Sequence, residues 1–382
     1  MSVRGKIPFI PLGGGQRVGA SCYYLQLAGA NIILDAGTGL KEGIEYGPDL
    51  YGLATSPFIE SLGQIDQIYI SHAHADHVAY LMDLAAMAPR ASIYMTEPTK
   101  VLAEFQLYDR LLNSGKLKEE RAQLAVKSLM DRIVVVSYLQ SLDFGKYKVT
   151  FYPAGHIPGA MMVHFEGAGT SILYTGDFSL EGTSLTPGCV LPNASPEILI
   201  MCGLHAKHPD FHKSKMNLQD KADALLEYAY KTRTNVKCCV QQLSKSVEVL
   251  KALNDANKYE IPIVLDDSVM NPVRKMEQLR IPILTKHNKL LSNNVERPHI
   301  YLSAVRKGTG SGYKEVKMDF SLHEDYDDMK AFIKKLNPKT VAMVHCGAPY
   351  KDTDNTIEQE LINDGECRAQ FIFAEESEIN FL

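Results

Sequence analysis

The chain has 382 residues, 45% of them hydrophobic and 22% charged, an ordinary globular composition with room for about two domains. No apolar run approaches the roughly 18–20 residues that a membrane span needs, and no signal-peptide core follows the polar start from Met1 to Lys6, so the expectation is a cytoplasmic protein with no membrane contact. The net charge is −5, but between His205 and Lys317 there are 20 Lys and Arg against 12 Asp and Glu, a balance of +8 that leaves −13 on the remainder; a basic middle able to attract a polyanion sits within an acidic body.

In chain order, Pro8 to Ile10, Cys22 to Leu27 and Ile32 to Leu34 read as strands. The glycines at 13, 14, 15 and 19 between the first two make a close-packed turn rather than a phosphate loop, because another strand follows and not a helix. Ile65 to Ile70 is a buried strand running into Ser71-His72-Ala73-His74-Ala75-Asp76-His77, where a helix begins and continues through Leu81, Leu84 and Ala85. Helices follow at Glu97 to Leu112 and Lys116 to Leu129, then strands at Ile133 to Val136, Tyr147 to Tyr152, Ser171 to Tyr174 and Ile198 to Met201. After about His205 the character changes. Leu218, Ala222, Leu225 and Ala229 recur at helical spacing. Val236 to Val240, Val247 to Leu253 and Ile261 to Leu265 then alternate strand, helix and strand, the mark of a separate α/β unit with a parallel sheet. Lys286 to Glu296 reads as loop, and Gly308 to Gly312 as a second glycine-rich loop. From Phe320 an amphipathic helix carries Tyr326, Met329, Ile333 and Leu336 on one face, and the strand Thr340 to Val344 ends at His345. Seven cysteines with no C-x-x-C pair point to reduced intracellular thiols.

Chemistry concentrates in His72-x-His74-x-Asp76-His77. Four imidazole and carboxylate groups within six residues suit zinc and related divalent ions. Asp76 and His77 project differently from His72 and His74, so one short loop can serve two metals. One loop cannot complete two sites, and three further ligand types end later strands: His156 in Ala-Gly-His, Asp177 in Thr-Gly-Asp-Phe-Ser, and His345 in Val-His-Cys-Gly. The carboxyl ends of strands are where α/β folds place their sites.

The strings SHAHADH, AGH and TGDFS, with PLGGGQRVGASCYYL and LDAGTG before them, resemble the metallo-β-lactamase fold of metal-dependent hydrolases. The likeness is nearest to its β-CASP nuclease branch, which includes the ribonuclease J enzymes and the polyadenylation endonucleases. It covers nearly the whole chain and is weakest between about 266 and 310. The resemblance implies an α/β fold: an αββα sandwich built from 1–204 and a return segment 318–382, with a smaller β-CASP-like α/β domain inserted at 205–317. It implies that His72, His74 and His156 hold one metal, that Asp76, His77 and His345 hold the other, and that Asp177 bridges them. The two ions would be zinc, with manganese the alternative. Two such ions lower the pKa of a shared water so that hydroxide is available to attack a phosphodiester. Asp76 would handle a proton of that water, and His323 would meet the phosphate or the leaving oxygen.

Two departures from the branch stand out. Cys202 replaces an acidic residue that normally partners the histidine matching His323, and Cys202 or His205 is a poor substitute for it. The stretch from Gln241 to Ser246 stands where the branch often has a glycine-arginine pair; Lys245 and Ser246, together with Arg306 and Lys307, are the expected nucleic-acid contacts. The expected function is a nuclease acting on RNA or single-stranded DNA, with homo-oligomerisation left open. The alternatives are a hydrolase of a small phosphodiester or ester, and a weakly active subunit that binds nucleic acid or a partner.

Overall fold

The computed structural model describes residues 6–382 apart from 116, 210, 212–216, 242, 292–294, 296, 305–311, 319, 348–356, 364 and 366. The chain divides into two compact units. One comprises Met1–Glu181, Gly188–His212 and Leu322–Leu382, and the other Gly182–Pro187 and Lys213–Ser321. The changes of unit therefore fall at 212/213 and 321/322, a few residues beyond the composition change, and the six residues 182–187 belong with the second unit.

The first unit is built on two seven-stranded sheets. One runs in the spatial order Asn380–Phe381, Pro8–Gly13, Cys22–Leu27, Ala30–Leu34, Gln67–Tyr69, Ser92–Thr96 and Ile133–Val136. The other runs Gln370–Phe373, Thr340–Val344, Ile198–Cys202, Thr170–Tyr174, Met161–Gly167, Tyr147–Pro153 and Ser141–Asp143. Alternate residues of each strand face one shared core: Tyr23 and Leu25 from the first sheet, Val149 and Phe151, Ile172 and Tyr174, and Ile198 and Ile200 from the second. This is the two-residue period expected when one face of a sheet packs on another sheet. The intervening residues are buried as well; Tyr24, Ile33, Ile68 and Ile93 are fully covered, and helix Glu97–Asn113 packs on strand Ser92–Thr96. Strands buried on both faces read as continuous apolar runs, which is why Ile65 to Ile70 stands out in the sequence.

The second unit holds a five-stranded, all-parallel sheet in the order Asn288–Leu290, Ile263–Leu265, Ile300–Ser303, Asn235–Cys239 and Tyr313–Lys317. Helices Leu218–Thr232, Ser244–Ala256 and Asp267–Gln278 accompany it. Among the described residues, no helix is long and apolar enough to cross a membrane.

Two sequence expectations need correction. The helix after the histidine cluster is two short ones, Ala75–Val78 and Leu81–Met87. The break has a cause in the preceding loop: the Tyr80 N–H donates to the Ala36 carbonyl at 2.8 Å, so it does not extend the first helix. The stretch Lys286 to Glu296 is not all loop, because Asn288–Leu290 pairs in parallel with Ile263–Leu265. It is an edge strand with half-buried and exposed side chains, so no apolar period marks it. The glycine-rich loop expected at Gly308 to Gly312 lies outside the described residues except for Gly312. All seven cysteines are free.

Candidate metal centre

Strand Gln67–Tyr69 delivers the chain to Ser71 and His72, and the loop after strand Ala30–Leu34 lies against it. The organising group there is Asp35, a fully buried carboxylate. It accepts hydrogen bonds from the Ser71 N–H at 2.6 Å, the Ser71 hydroxyl at 2.7 Å, His77 Nδ1 at 2.8 Å and the Tyr174 hydroxyl. A buried charge is tolerated when its lone pairs are used in this way. The loop also fits backbone to backbone. Ala36 N–H donates to the His77 carbonyl and Ser21 N–H to the Asp76 carbonyl. At Gly37 a Cβ atom would stand 1.7 Å from the Asp76 carbonyl oxygen, so only glycine fits.

Four of these histidines have one ring nitrogen engaged outward. His77 gives Nδ1 to Asp35, His156 donates Nδ1–H to the Leu322 carbonyl at 2.9 Å, and His345 Nδ1 meets the Ser21 hydroxyl at 2.9 Å. His72 Nδ1 lies 3.0 Å from the Ser71 hydroxyl. Since that hydroxyl already donates to Asp35, it accepts from His72. Outer bonds of this kind fix ring tautomer and direction in metal sites. The other nitrogens converge. His72 Nε2 and His156 Nε2 each lie 3.1 Å from His74 Nδ1. Asp177 Oδ2 lies 3.8 Å from His72 Nε2 and His156 Nε2, and 3.5 Å from His77 Nε2.

Two ligand groups result: His72, His74, His156 and Asp177 in one, and Asp76, His77 and His345 in the other, each with its donor atoms within 4.8 Å of one another. Asp177 stands at their junction. All seven residues expected from the sequence are thus in these two groups, and all come from a single chain. The donor set fits divalent ions. Tetrahedral ligands about 2.0–2.1 Å from a zinc ion lie roughly 3.3 Å apart, close to the observed nitrogen spacing, and Asp177 Oδ1 is buried without a hydrogen-bond partner.

Electrostatics agree with that fit at His72 and His74. Burial pushes His72 well below its ordinary pKa and His74 down to about 3, with neighbouring imidazoles adding to the effect. Both are neutral, the form that binds a metal. Burial would lower His77 too, but Asp177 and Asp35 outweigh it and raise His77 well above the usual value. Burial would raise Asp177, but His345, His77 and His323 hold its carboxyl well below the usual range.

His323 lies beside this centre, its Nδ1 3.7 Å from Asp177 Oδ2 and its ring 4.6 Å from that of His156. Burial, with His156 and His345 adding and Asp177 opposing, lowers it well below the ordinary value. A neutral His323 is suited to donating an N–H to a phosphate oxygen. Cys202 joins Asp177 and His323 in a third group within 4.8 Å. His205 belongs to none of these groups, and its ring stacks on Phe211 at 3.8 Å.

The expected nucleic-acid contacts fare unevenly. Lys245, in the first turn of helix Ser244–Ala256, lines a cavity of about 550 Å³ with Gln241, Glu315 and Lys317. Ser246 is fully buried and its hydroxyl donates to the Leu243 carbonyl, so it is not presented to a polyanion. Arg306 and Lys307 lie outside the described residues. Ser21, Tyr174 and the Leu322 carbonyl are the orienting groups that sequence reasoning missed; Ser21 lies within PLGGGQRVGASCYYL and Tyr174 immediately before Thr-Gly-Asp, whereas the Leu322 carbonyl had no motif to mark it.

A model of the metallo-beta-lactamase superfamily matches residues 15–233. Among curated proteins, "Endoribonuclease YSH1" of Mycosarcoma maydis is 29% identical over 307 residues, 76% of this chain and 33% of its own length. "Endoribonuclease ysh1" of Schizosaccharomyces pombe is 36% identical over 51% of this chain and 25% of its own. "Cleavage and polyadenylation specificity factor 73" of Drosophila melanogaster is 28% identical over 68% of this chain and 38% of its own. The chain thus spans about a quarter to two-fifths of the length of these relatives. The crystal structure of a protein of unknown function from Enterococcus faecalis V583 shares the fold, with a TM-score of 0.64 at 14% identity over 99% of this chain and all of that one.

Proposed function

Because this chain belongs to the metallo-β-lactamase superfamily, we propose that it is a metal-dependent phosphodiester hydrolase that cuts RNA, with the second unit acting as a β-CASP-like nucleic-acid domain. The observation that carries the reading is the pair of His/Asp groups joined at Asp177, in a chain whose relatives are named endoribonucleases. His72, His74 and His156 would hold one ion, Asp76, His77 and His345 the other, with Asp177 between. Zinc is the first choice, and manganese the alternative. Two bound ions supply charge neutralisation at the phosphodiester and a water of lowered pKa.

The protein groups do the rest. Asp35 holds the His77 ring by its Nδ1–H and leaves Nε2 toward the centre, and the Leu322 carbonyl does the same for His156. Asp76 accepts a proton from the attacking water, a role its 31% exposure supports. His323 donates to a phosphate oxygen. Lys245 and Lys317, at the carboxyl end of a parallel sheet where loops gather ligands, supply positive charge for a phosphate of the RNA backbone. Seven free thiols accord with a reducing, cytoplasmic setting.

The experiment is cleavage of end-labelled single-stranded RNA and DNA by protein of counted metal content, beside His74→Ala. Internal RNA products from the parent protein alone are expected. Equal cleavage of DNA would widen the substrate class. Two bound ions with no nucleic-acid cleavage, but with turnover of bis-p-nitrophenyl phosphate, would replace the nuclease with an enzyme for small phosphodiesters, a reading that Cys202 in place of a carboxylate favours. Equal cleavage by His74→Ala would remove the metal centre from the reaction.

A further inference from the structure

Cys202 ends strand Ile198–Cys202, which lies between strands Thr170–Tyr174 and Thr340–Val344 in parallel register. The loops that follow those two neighbours carry Asp177 and His345, so the register brings the Cys202 side chain to the edge of the metal centre. Its backbone is pinned on both sides. The Cys202 N–H donates to Thr175 Oγ1 at 3.1 Å, and the Gly203 N–H to the Val344 carbonyl at 2.7 Å. The sulfur, a carboxylate oxygen of Asp177 and a ring nitrogen of His323 then lie within 4.8 Å of one another. Asp177 Oδ2 makes the close approaches to His72, His77, His156 and His323. Its Oδ1 is buried without a partner, so one oxygen of this carboxylate is available to a group other than the main centre.

Thiolate, imidazole and carboxylate together select thiophilic or borderline ions over magnesium and manganese. We propose that Cys202, His323 and Asp177 form an additional site for a thiophilic divalent cation, Cd²⁺ or zinc in excess, whose occupation inhibits the protein by taking His323 from the phosphate. The thiol proton leaves to solvent as the ion binds, and three protein ligands leave a fourth position to water. Cys346 does not belong to this group. It is fully buried, and its sulfur lies 3.6 Å from Gln16 Nε2 and 3.7 Å from the Val344 carbonyl.

The inference rests on the two-ion reading, and one titration separates the two. Protein first equilibrated with zinc, its bound zinc counted, is titrated with Cd²⁺ and followed by ultraviolet thiolate-to-cadmium charge transfer and by bound cadmium. One further ion with a thiolate band is expected. The band is lost in Cys202→Ser and kept in Cys346→Ser. His323→Ala, at a side chain 22% exposed and so easily accommodated, weakens cadmium binding at least about tenfold, the loss that even an outer-shell change produces. The cadmium concentration that half-inhibits turnover rises by a similar factor in Cys202→Ser. No thiolate band in the parent protein, or a band that survives in Cys202→Ser, overturns the inference. Fewer than two zinc ions before cadmium is added overturns the two-ion reading instead, and the band still reports on Cys202, because neither main ligand group contains a thiol.

Discussion

Glu248 lies on helix Ser244–Ala256 with its side chain buried. Thr183 Oγ1 donates to Oε1 at 2.5 Å, and Oε2 has no partner. Burial pushes the carboxyl up to about 7, against the hydrogen bonds from Thr183 and the Ser184 backbone and the charge of Lys251. The folded protein therefore holds a proton that the unfolded chain has released. Stability from this group is fully present below about pH 4.5, declines as pH rises and is lost above about 7, a fall on the order of 3 kcal/mol. Glu248→Gln should abolish that decline, as measured by urea unfolding of the second unit from pH 5 to 8; an unchanged slope would show that Glu248 is ionised in the folded state. Residues of this kind were not legible in the sequence, because Thr183 and Glu248 are 65 positions apart and no motif links them. The two His/Asp groups were legible because four of their members share one loop and three end apolar strands. Of their orienting partners only Asp35, in LDAGTG, was singled out: Ser21 meets His345 across 324 positions, and a backbone carbonyl such as that of Leu322 has no residue type to recognise.

Between residue and fold, the loop from Asp35 to Gly39 acts as a template for the helix bearing Asp76 and His77. The Gly37 N–H donates to the Ser21 carbonyl and the Thr38 N–H to the Ala75 carbonyl, while Gly37 admits the Asp76 carbonyl where a side chain would stand. Gly37→Ala should force this helix away and lower the bound metal from two ions toward one, with the His72, His74 and His156 group retained. Metal analysis with far-ultraviolet circular dichroism checks it; full metal content in a normally folded variant would mean that the loop yields without cost. Elements whose apolar residues recur cleanly were visible beforehand, helix Tyr326–Leu336 among them. Helix Asp267–Gln278 escaped because Pro272 lies inside it and interior proline normally argues against a helix, although Val269, Val273 and Met276 are buried at helical spacing. Strand Met161–Gly167 escaped because His164 and the terminal Glu166 and Gly167 break its apolar run.

On the scale of the molecule, the uneven charge bears on the substrate. If the basic middle tracks an RNA backbone, each phosphate contact steepens the salt dependence of binding by about 0.7 for single strands. Binding of RNA by the His74→Ala protein should therefore lose about that much slope when Lys245→Ala is added. An unaltered slope would take Lys245 out of the contact surface and leave the positive balance as scattered solvated charge.

Connectivity imposes an order on synthesis as well as on space. The first unit is interrupted after His212 and resumes at Leu322, so a ribosome that has made every ligand up to Asp177 must add 168 more residues before His345 emerges. At roughly 5–20 residues per second this takes on the order of ten to thirty seconds. For most of that interval the nascent chain carries His72, His74, His156 and Asp177 without the Leu322 carbonyl that orients His156, beside an Asp76 and His77 that lack the third member of their group. The sheet edge of the half-made protein at Ile198–Cys202 waits unpaired for Thr340–Val344. An incomplete chain is therefore exposed to strand-pairing aggregation at the same place where the finished centre closes.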